Sequence, residues 1–357
     1  MLLSKPIKPF IIPLFIPHIG CPFQCAFCNQ KALTSISRQT LSIPELKSEI
    51  DLFLSYRKDS QDKEIAFYGG TFLGLNKDHI IQLLELAESY IKNGVVKSIR
   101  FSTRPDTIST QTLDILRNYS VETIEIGVQS MDDHVLKKSN RGHTEDDVIK
   151  AVNLVKERGY KVGMQLMVGL PGDSEKIALE TAIKTVTLKP DMVRIYPALV
   201  LRDSPMEEWF QKGKYSPLSL DDSVETVKRM YTLFLKENIN VIRVGIQSSK
   251  DLKEGSEIIA GPYHPAYGHM VFSAIFLDMT IHILSRIGVH DRIDIHVNPS
   301  KISEMRGLNN RNIAELEKKY GLKKIRVVED SLMDKYSLSI NNIKTGINDL
   351  AKEYVKH

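Results

Sequence analysis

The sequence predicts an α/β fold: a parallel, barrel-like sheet with a small second α/β unit appended. Three observations carry this expectation. Seven apolar, β-branched runs of strand length alternate with seven amphipathic, helix-length segments, which is the pattern of βαβ units. The polar and glycine-containing motifs fall just after the strand runs, where the sites of such barrels lie. The chain has 357 residues, 42% of them hydrophobic. That is enough for one large domain of ~250 residues plus a smaller one.

In chain order, the strand candidates are Phe10–Phe15, Glu64–Tyr68, Lys97–Ser102, Thr123–Val128, Lys161–Val168, Met192–Tyr196 and Asn240–Val244. Between them lie helix candidates Pro44–Tyr56, Lys77–Lys92, Ser109–Asn118, Asp132–Lys138, Glu145–Arg158, Lys176–Leu188 and Ser223–Glu237. The stretch Gly245–Met270 is irregular and rich in Gly, Ser and Pro, and a helix follows from Val271 to about Ile287. Beyond it, Asp294–Val297, Lys301–Met305, Ile313–Tyr320, Lys324–Val328 and Tyr336–Ile340 read as strand, helix, helix, strand, strand. The expected division is a barrel over 1–245, a connecting loop and helix over 246–290, and a small C-terminal α/β unit over 291–357.

Charged residues make up 26% of the chain and the net charge is +4, a mildly basic balance that permits a nucleic-acid partner without demanding one. The first twenty residues are apolar but broken by four prolines, and they run directly into a cysteine motif. They read as a first strand, not a signal peptide. No run approaches the ~18 apolar residues of a membrane span.

All three cysteines lie in the stretch GCPFQCAFCNQ, as Cys21, Cys25 and Cys28, spaced C-x3-C-x2-C. An odd count, tight spacing and no secretory signal argue against disulfides. Thiolates this close can converge on one metal centre, and iron–sulfur clusters are held by cysteine thiolates. Zinc is the rival; it normally takes four protein ligands, and nearby His18 could supply a fourth but reads as part of the incoming strand. Three ligands on a cubane leave one iron open.

This triplet, with Phe27 just before its last cysteine, resembles the signature of the radical S-adenosylmethionine (radical SAM) enzymes. Further motifs are similar to the Elongator catalytic-subunit branch: Tyr68-Gly69-Gly70-Thr71-Phe72, Phe101-Ser102-Thr103-Arg104-Pro105-Asp106, Gly127-Val128-Gln129-Ser130 with Arg141 twelve residues on, and Gly169-Leu170-Pro171-Gly172. The resemblance implies a partial (βα)6 barrel, a 4Fe–4S cluster on the three cysteines, and S-adenosylmethionine chelated at the open iron. It implies that carbonyls of Gly69 and Gly70 take the methionyl ammonium, with Thr71 where glutamate is common. It likewise implies that Gln129 meets the ribose, that Arg141 clamps the carboxylate, and that the backbone near Val168 meets adenine. Ser102 stands where these relatives carry glutamate, and Gln165 where they carry aspartate or histidine. Arg104 could pair a carboxylate or be a loop cation preset by Pro105. His143 reads as a helix-start residue beside the cap Thr144, not as a base. Tyr196-Pro197 lines either the substrate side or a packed rim.

By the same resemblance, one electron from a donor such as flavodoxin or ferredoxin cleaves the sulfonium to methionine and a 5′-deoxyadenosyl radical, which abstracts hydrogen from substrate. An oxygen-sensitive cluster fits a reducing cytoplasm. With no cysteine after Cys28, no cysteine-ligated auxiliary cluster and no catalytic cysteine pair are expected. The motifs match only the radical part of the Elongator subunit, so its acetyltransferase activity is not implied. The stretch Arg243–His269, which includes Gln247, matches that branch only loosely. Residues Ile293–Val328 weakly resemble a KH RNA-binding core, with Gly307-Leu308-Asn309-Asn310 in place of Gly-x-x-Gly. Lys301, Arg306, Arg311, Lys323, Lys324 and Arg326 surround that loop. The readings left open are an enzyme acting on RNA such as tRNA, an enzyme on a small molecule akin to coproporphyrinogen oxidation, and an iron–sulfur electron-transfer or sensing protein.

Overall fold

The computed structural model describes residues 9–16, 21–29, 42–56, 62–246, 256–287 and 291–354. The expectations for His18 and Gln247 lie outside these residues. Seven parallel strands form one sheet in the order β1 (Phe10–Ile16), β2 (Lys63–Gly69), β3 (Ser98–Thr103), β4 (Val121–Gln129), β5 (Lys161–Val168), β6 (Met192–Pro197) and β8 (Asn240–Val244). β8 is therefore an extra strand beyond six βα units. No ladder joins it to β1 among the described residues, so the barrel is open at one side.

The crossover helices are α1 (Ile43–Tyr56), α2 (Lys77–Lys92), α3 (Thr110–Ile115), α4 (Asp133–Lys138), α5 (Glu145–Glu157), α6 (Glu175–Thr187) and α8 (Leu220–Lys236). Most begin at a side-chain cap: Asn76, Ser109, Asp132, Thr144, Ser174 and Ser219 each accept a hydrogen bond from an early helix amide. Alternation along the strands divides their faces. Ile65, Phe67, Ile99, Phe101, Ile124, Ile126, Val193 and Ile195 are fully buried in the core beneath the helices. The intervening residues line the barrel interior.

Several short elements escape the sequence pattern. The loop after β6 carries β7 (Val200–Leu201) and α7 (Pro205–Gln211), and β7 pairs antiparallel with β9 (Ile258–Ala260). The helix expected from Val271 starts earlier, as α9 (Tyr267–Leu284). It corrects the reading that no run approaches a membrane span. By length and composition α9 qualifies, yet more than half of it is buried inside the protein, against α8 and the second sheet. No residue of α9 is exposed, which explains why it is apolar all round.

The second sheet has the order β11 (Lys324–Glu329), β10 (Arg292–Val297), β12 (Ser337–Ile340), β13 (Ile343–Gly346). Helices α10 (Ile302–Arg306) and α11 (Arg311–Tyr320) connect β10 to its parallel neighbour β11, and α12 (Ile347–Tyr354) ends the unit. Ile293, Ile295, Leu338 and Leu350 join the same apolar core as the barrel helices, so the two sheets share one interior.

Candidate active site

The site is built at the C-terminal ends of β1 to β5. After β1 the cysteine loop is held by backbone bonds: Ala26 N–H donates to Ser139 O at 3.0 Å, and Met206 N–H donates to Ala26 O at 3.0 Å. Ala26, fully buried, sits in a small apolar cluster with Val135, Leu170, Val200 and Met206, with Phe27 at its edge. The α7 insertion is thus a plug beneath the loop. Sequence reasoning missed it because α7 spans only seven residues.

Cys21 and Cys25 meet different partners. Cys21 Sγ lies 3.0 Å from Thr71 Oγ1. Cys25 is buried and accepts from two guanidiniums, Arg141 Nη1 at 3.1 Å and Arg104 Nη1 at 3.6 Å. Burial pushes the Cys28 thiol up to about 12, assisted by the neighbouring Cys25 and Cys21 and opposed by Arg141. Burial also raises Cys21, against the Thr71 hydrogen bond and Arg104. Three thiols from one loop thus feel one another's charge, with cations beside them that favour the thiolate form.

The glycine turn after β2 is shaped for close approach. Gly69 has φ +96°, and a Cβ there would fall 2.8 Å from Ile16 O. Gly70 N–H donates to that same carbonyl at 3.2 Å. Only glycine combines this backbone with that contact. Thr71 is buried and faces Cys21, so its hydroxyl belongs to the cysteine loop as much as to the glycine turn.

Gln129 and Arg141 come together at Gly127. A register shift between Gly127 and Gln129 ends β4, and Gln129 adopts φ +70°, an unusual backbone for a residue with a side chain. A Cβ on Gly127 would lie 3.2 Å from Gln129 Nε2 and 3.4 Å from Arg141 Nη2. Arg141 Nη2 donates to Gly127 O, while its Nε is buried with no partner among the described residues. A buried guanidinium with an orphaned N–H, whose other hydrogen bonds go to a thiol and a backbone carbonyl, is set for an acidic ligand. The donor set, three thiols with a guanidinium beside them, suits a thiolate-held cluster and a carboxylate-bearing ligand, although among the described residues the thiols are not drawn together into a group that could hold a metal ion.

Arg104 pairs a carboxylate, and that carboxylate belongs to the chain itself. Asp106 binds it through two bonds, Nε to Oδ1 at 2.9 Å and Nη2 to Oδ2 at 3.0 Å, and Nη2 also reaches Arg141 O. Phe23 covers it, with the ring centroid 5.1 Å from the guanidinium carbon. Arg104 is already paired and braces Arg141. His143 Nε2 bonds Val128 O at 3.2 Å, and burial beside Arg141 and Arg104 pushes its pKa down to about 3. It stays neutral, which suits the helix-start position and not a base at neutral pH. Val168 is fully buried towards the helices, and its carbonyl accepts from Ala198 N–H at 2.9 Å.

Deeper in the barrel, Ser102 and Gln165 belong to a network that the sequence did not reveal. Gln165 Nε2 donates to Ser102 Oγ at 2.9 Å and to Glu125 Oε2 at 3.0 Å. Glu125, 1% exposed, also receives Arg194 Nε at 2.6 Å, Arg100 Nη1 at 3.2 Å and Tyr68 OH at 3.0 Å. Burial pushes the Glu125 carboxyl up, but Arg194 and Arg100 outweigh it and hold the group below the usual carboxylate range. The available signal was a charge at inward-facing positions of otherwise apolar strands: Arg100, Glu125 and Arg194.

The C-terminal loop takes left-handed backbone at Gly307, Asn309 and Asn310. It docks on α9 through Asn312 Nδ2, which donates to Ser273 O at 2.8 Å. Of the basic residues around it, Lys301 pairs with Glu304, Arg311 with Asp221, Lys323 with Asp291 and Arg326 with Asp294. Most of that charge is therefore neutralised within the protein.

The sequence matches the Radical SAM superfamily over residues 15–183 and the Radical_SAM C-terminal domain over residues 190–275. An uncharacterized protein, MJ0486, of Methanocaldococcus jannaschii is 34% identical over 232 residues, covering 62% of this chain and 70% of the relative. The chain belongs to the radical SAM superfamily. The tRNA uridine(34) acetyltransferase of Methanocaldococcus infernus is 34% identical over 128 residues, 35% of this chain and 24% of that enzyme. This radical SAM chain thus spans about a quarter of that relative's length. Among solved structures, archaeal Elp3 of Methanocaldococcus infernus superposes with a TM-score of 0.60 at 20% identity, over 74% of this chain and 62% of that one, which supports the half-barrel fold. Membership makes the chain an enzyme and implies a 4Fe–4S cluster and S-adenosylmethionine.

Proposed function

We propose that this radical SAM enzyme cleaves S-adenosylmethionine reductively at a cluster held by Cys21, Cys25 and Cys28, and that it acts on RNA, with tRNA as the first candidate. The observation that carries the chemistry is the pairing of three mutually interacting thiols with the half-satisfied guanidinium of Arg141. When bound, the cluster and S-adenosylmethionine supply one electron and a sulfonium, whose cleavage gives methionine and a 5′-deoxyadenosyl radical able to take hydrogen from a substrate C–H bond.

The chain's own residues do the rest. Arg141 holds the carboxylate of the methionyl part through its free Nε, while Gly127 O fixes the other edge of its fork. Gly69 and Gly70 offer backbone at close approach to the ammonium. Gln129, turned inward by its positive φ, meets the ribose. Phe27, whose ring centroid lies 5.8 Å from the Arg141 guanidinium carbon, screens the loop from water. A low-potential donor such as flavodoxin or ferredoxin supplies the electron.

The RNA reading rests on the relative named for tRNA uridine(34). The test is anaerobic reconstitution followed by dithionite and S-adenosylmethionine, with and without bulk tRNA. Release of 5′-deoxyadenosine that tRNA accelerates is the expected result. No release would sink the enzymatic reading, and release indifferent to tRNA would sink the RNA reading.

A further inference from the structure

The inward faces of the barrel strands carry three arginines, Arg100, Arg194 and Arg243, against two carboxylates, Glu64 and Glu125. Arg100 pairs with Glu64 at 2.7 Å and Glu125 at 3.2 Å, and Arg194 pairs with Glu125 at 2.6 Å. Arg243 is half-buried and has no hydrogen bond or ion pair among the described residues. An unpaired charge held partly out of water is costly unless something pairs with it.

The position of Arg243 follows from register. Gly127, Gln165, Arg194 and Arg243 are successive partners across β4, β5, β6 and β8. Val193 and Ile195 are fully buried beneath the helices, and Val241 and Val244 pack into the same core. Arg194 and Arg243 therefore face the interior together, and Tyr196 lies close enough to feel both charges. At the other end of the row, Gly127 O holds Arg141. At about 4.8 Å per strand the row is roughly 14 Å long, the span of a nucleotide-sized fragment. β8 is the terminal strand of the sheet, so Arg243 stands at the open side of the barrel.

We propose that Arg243 anchors an oxyanion of the substrate, a phosphate or a carboxylate, at the open edge of the barrel. A guanidinium fork matches either group through two parallel bonds. The inference rests on the proposed function in one respect: it takes the Gly127 end of the row as the cofactor end.

The test uses the full, cluster-loaded chain without reductant, so binding is read apart from cleavage. Affinities for bulk tRNA and for a tetracarboxylate porphyrinogen are measured against salt for wild type, Arg243→Gln and Arg243→Lys. Matching melting temperatures and cluster absorbance establish that the variants are folded and loaded. Arg243→Gln should weaken one probe about tenfold, and Arg243→Lys should recover part of that loss. Loss of tRNA affinity with a salt slope smaller by about one identifies phosphate; loss of porphyrinogen affinity identifies carboxylate. Equal affinities in wild type and Arg243→Gln for both probes, including a shared failure to bind, would overturn the proposal. The wild-type cleavage assay judges the enzymatic reading separately.

Discussion

At Gly69 a single hydrogen atom in place of a side chain sets the geometry of the glycine turn. Gly69→Ala would put a methyl group 2.8 Å from a backbone carbonyl at a φ of +96°. We expect a loss of about 1–3 kcal/mol in stability, and weaker S-adenosylmethionine binding seen as a smaller change in the cluster's EPR signal on cofactor addition. An unchanged melting temperature would argue that the turn relaxes freely. His143 gives a pH signature. Its pKa is about 3 in the fold against about 6.5 when unfolded, so the unfolded chain takes up the proton first as pH falls. The stability from neutral His143 is present above about 6.5 and is lost as pH drops towards 3. His143→Gln should flatten that acid limb in melting temperature against pH; parallel limbs would contradict the assignment.

At the scale of elements, charged contacts tie helices to one another. Lys228 on α8, with a side chain 4% exposed, binds Asp278 of α9 and lies 2.6 Å from Glu225. Tyr354 of α12 donates to the same Asp278, and its ring faces the Lys228 ammonium. Three helices thus meet at one buried cation. Lys228→Met should cost about 2 kcal/mol, less than a fully buried pair because Asp278 and Glu225 are partly solvated. The loss should appear first as faster amide exchange in α12, and uniform exchange changes across the barrel would count against this local role. The capped helices were legible in the sequence because cap and apolar stripe are local signals. The plug α7, strand β7 and helix α12 were not, because each is short and held by partners distant in the chain.

For the whole molecule, the decisive fact is one apolar core serving two sheets. We expect the chain's single tryptophan, Trp209 near the cysteine loop, and far-UV dichroism to report the same melting midpoint. Separated transitions would mean that the barrel and the C-terminal unit are energetically independent. The candidate site also depends on this scale, since Cys25 meets Arg141 116 residues along the chain.

The sequence alone determined the alternating architecture, the strand ends where motifs gather, and the grouping of Cys21, Cys25 and Cys28 in one short loop. Those properties follow from periodicity and from spacing within a few residues. Tertiary structure decided which charges are already paired: Arg104 by Asp106, Glu125 by Arg194 and Arg100, and most of the C-terminal basic residues by acids on neighbouring strands and helices. It also decided that Arg243 stays unpaired within the described residues. Ion pairing inside a fold depends on which side chains a curved sheet brings face to face, and a linear pattern does not encode that curvature.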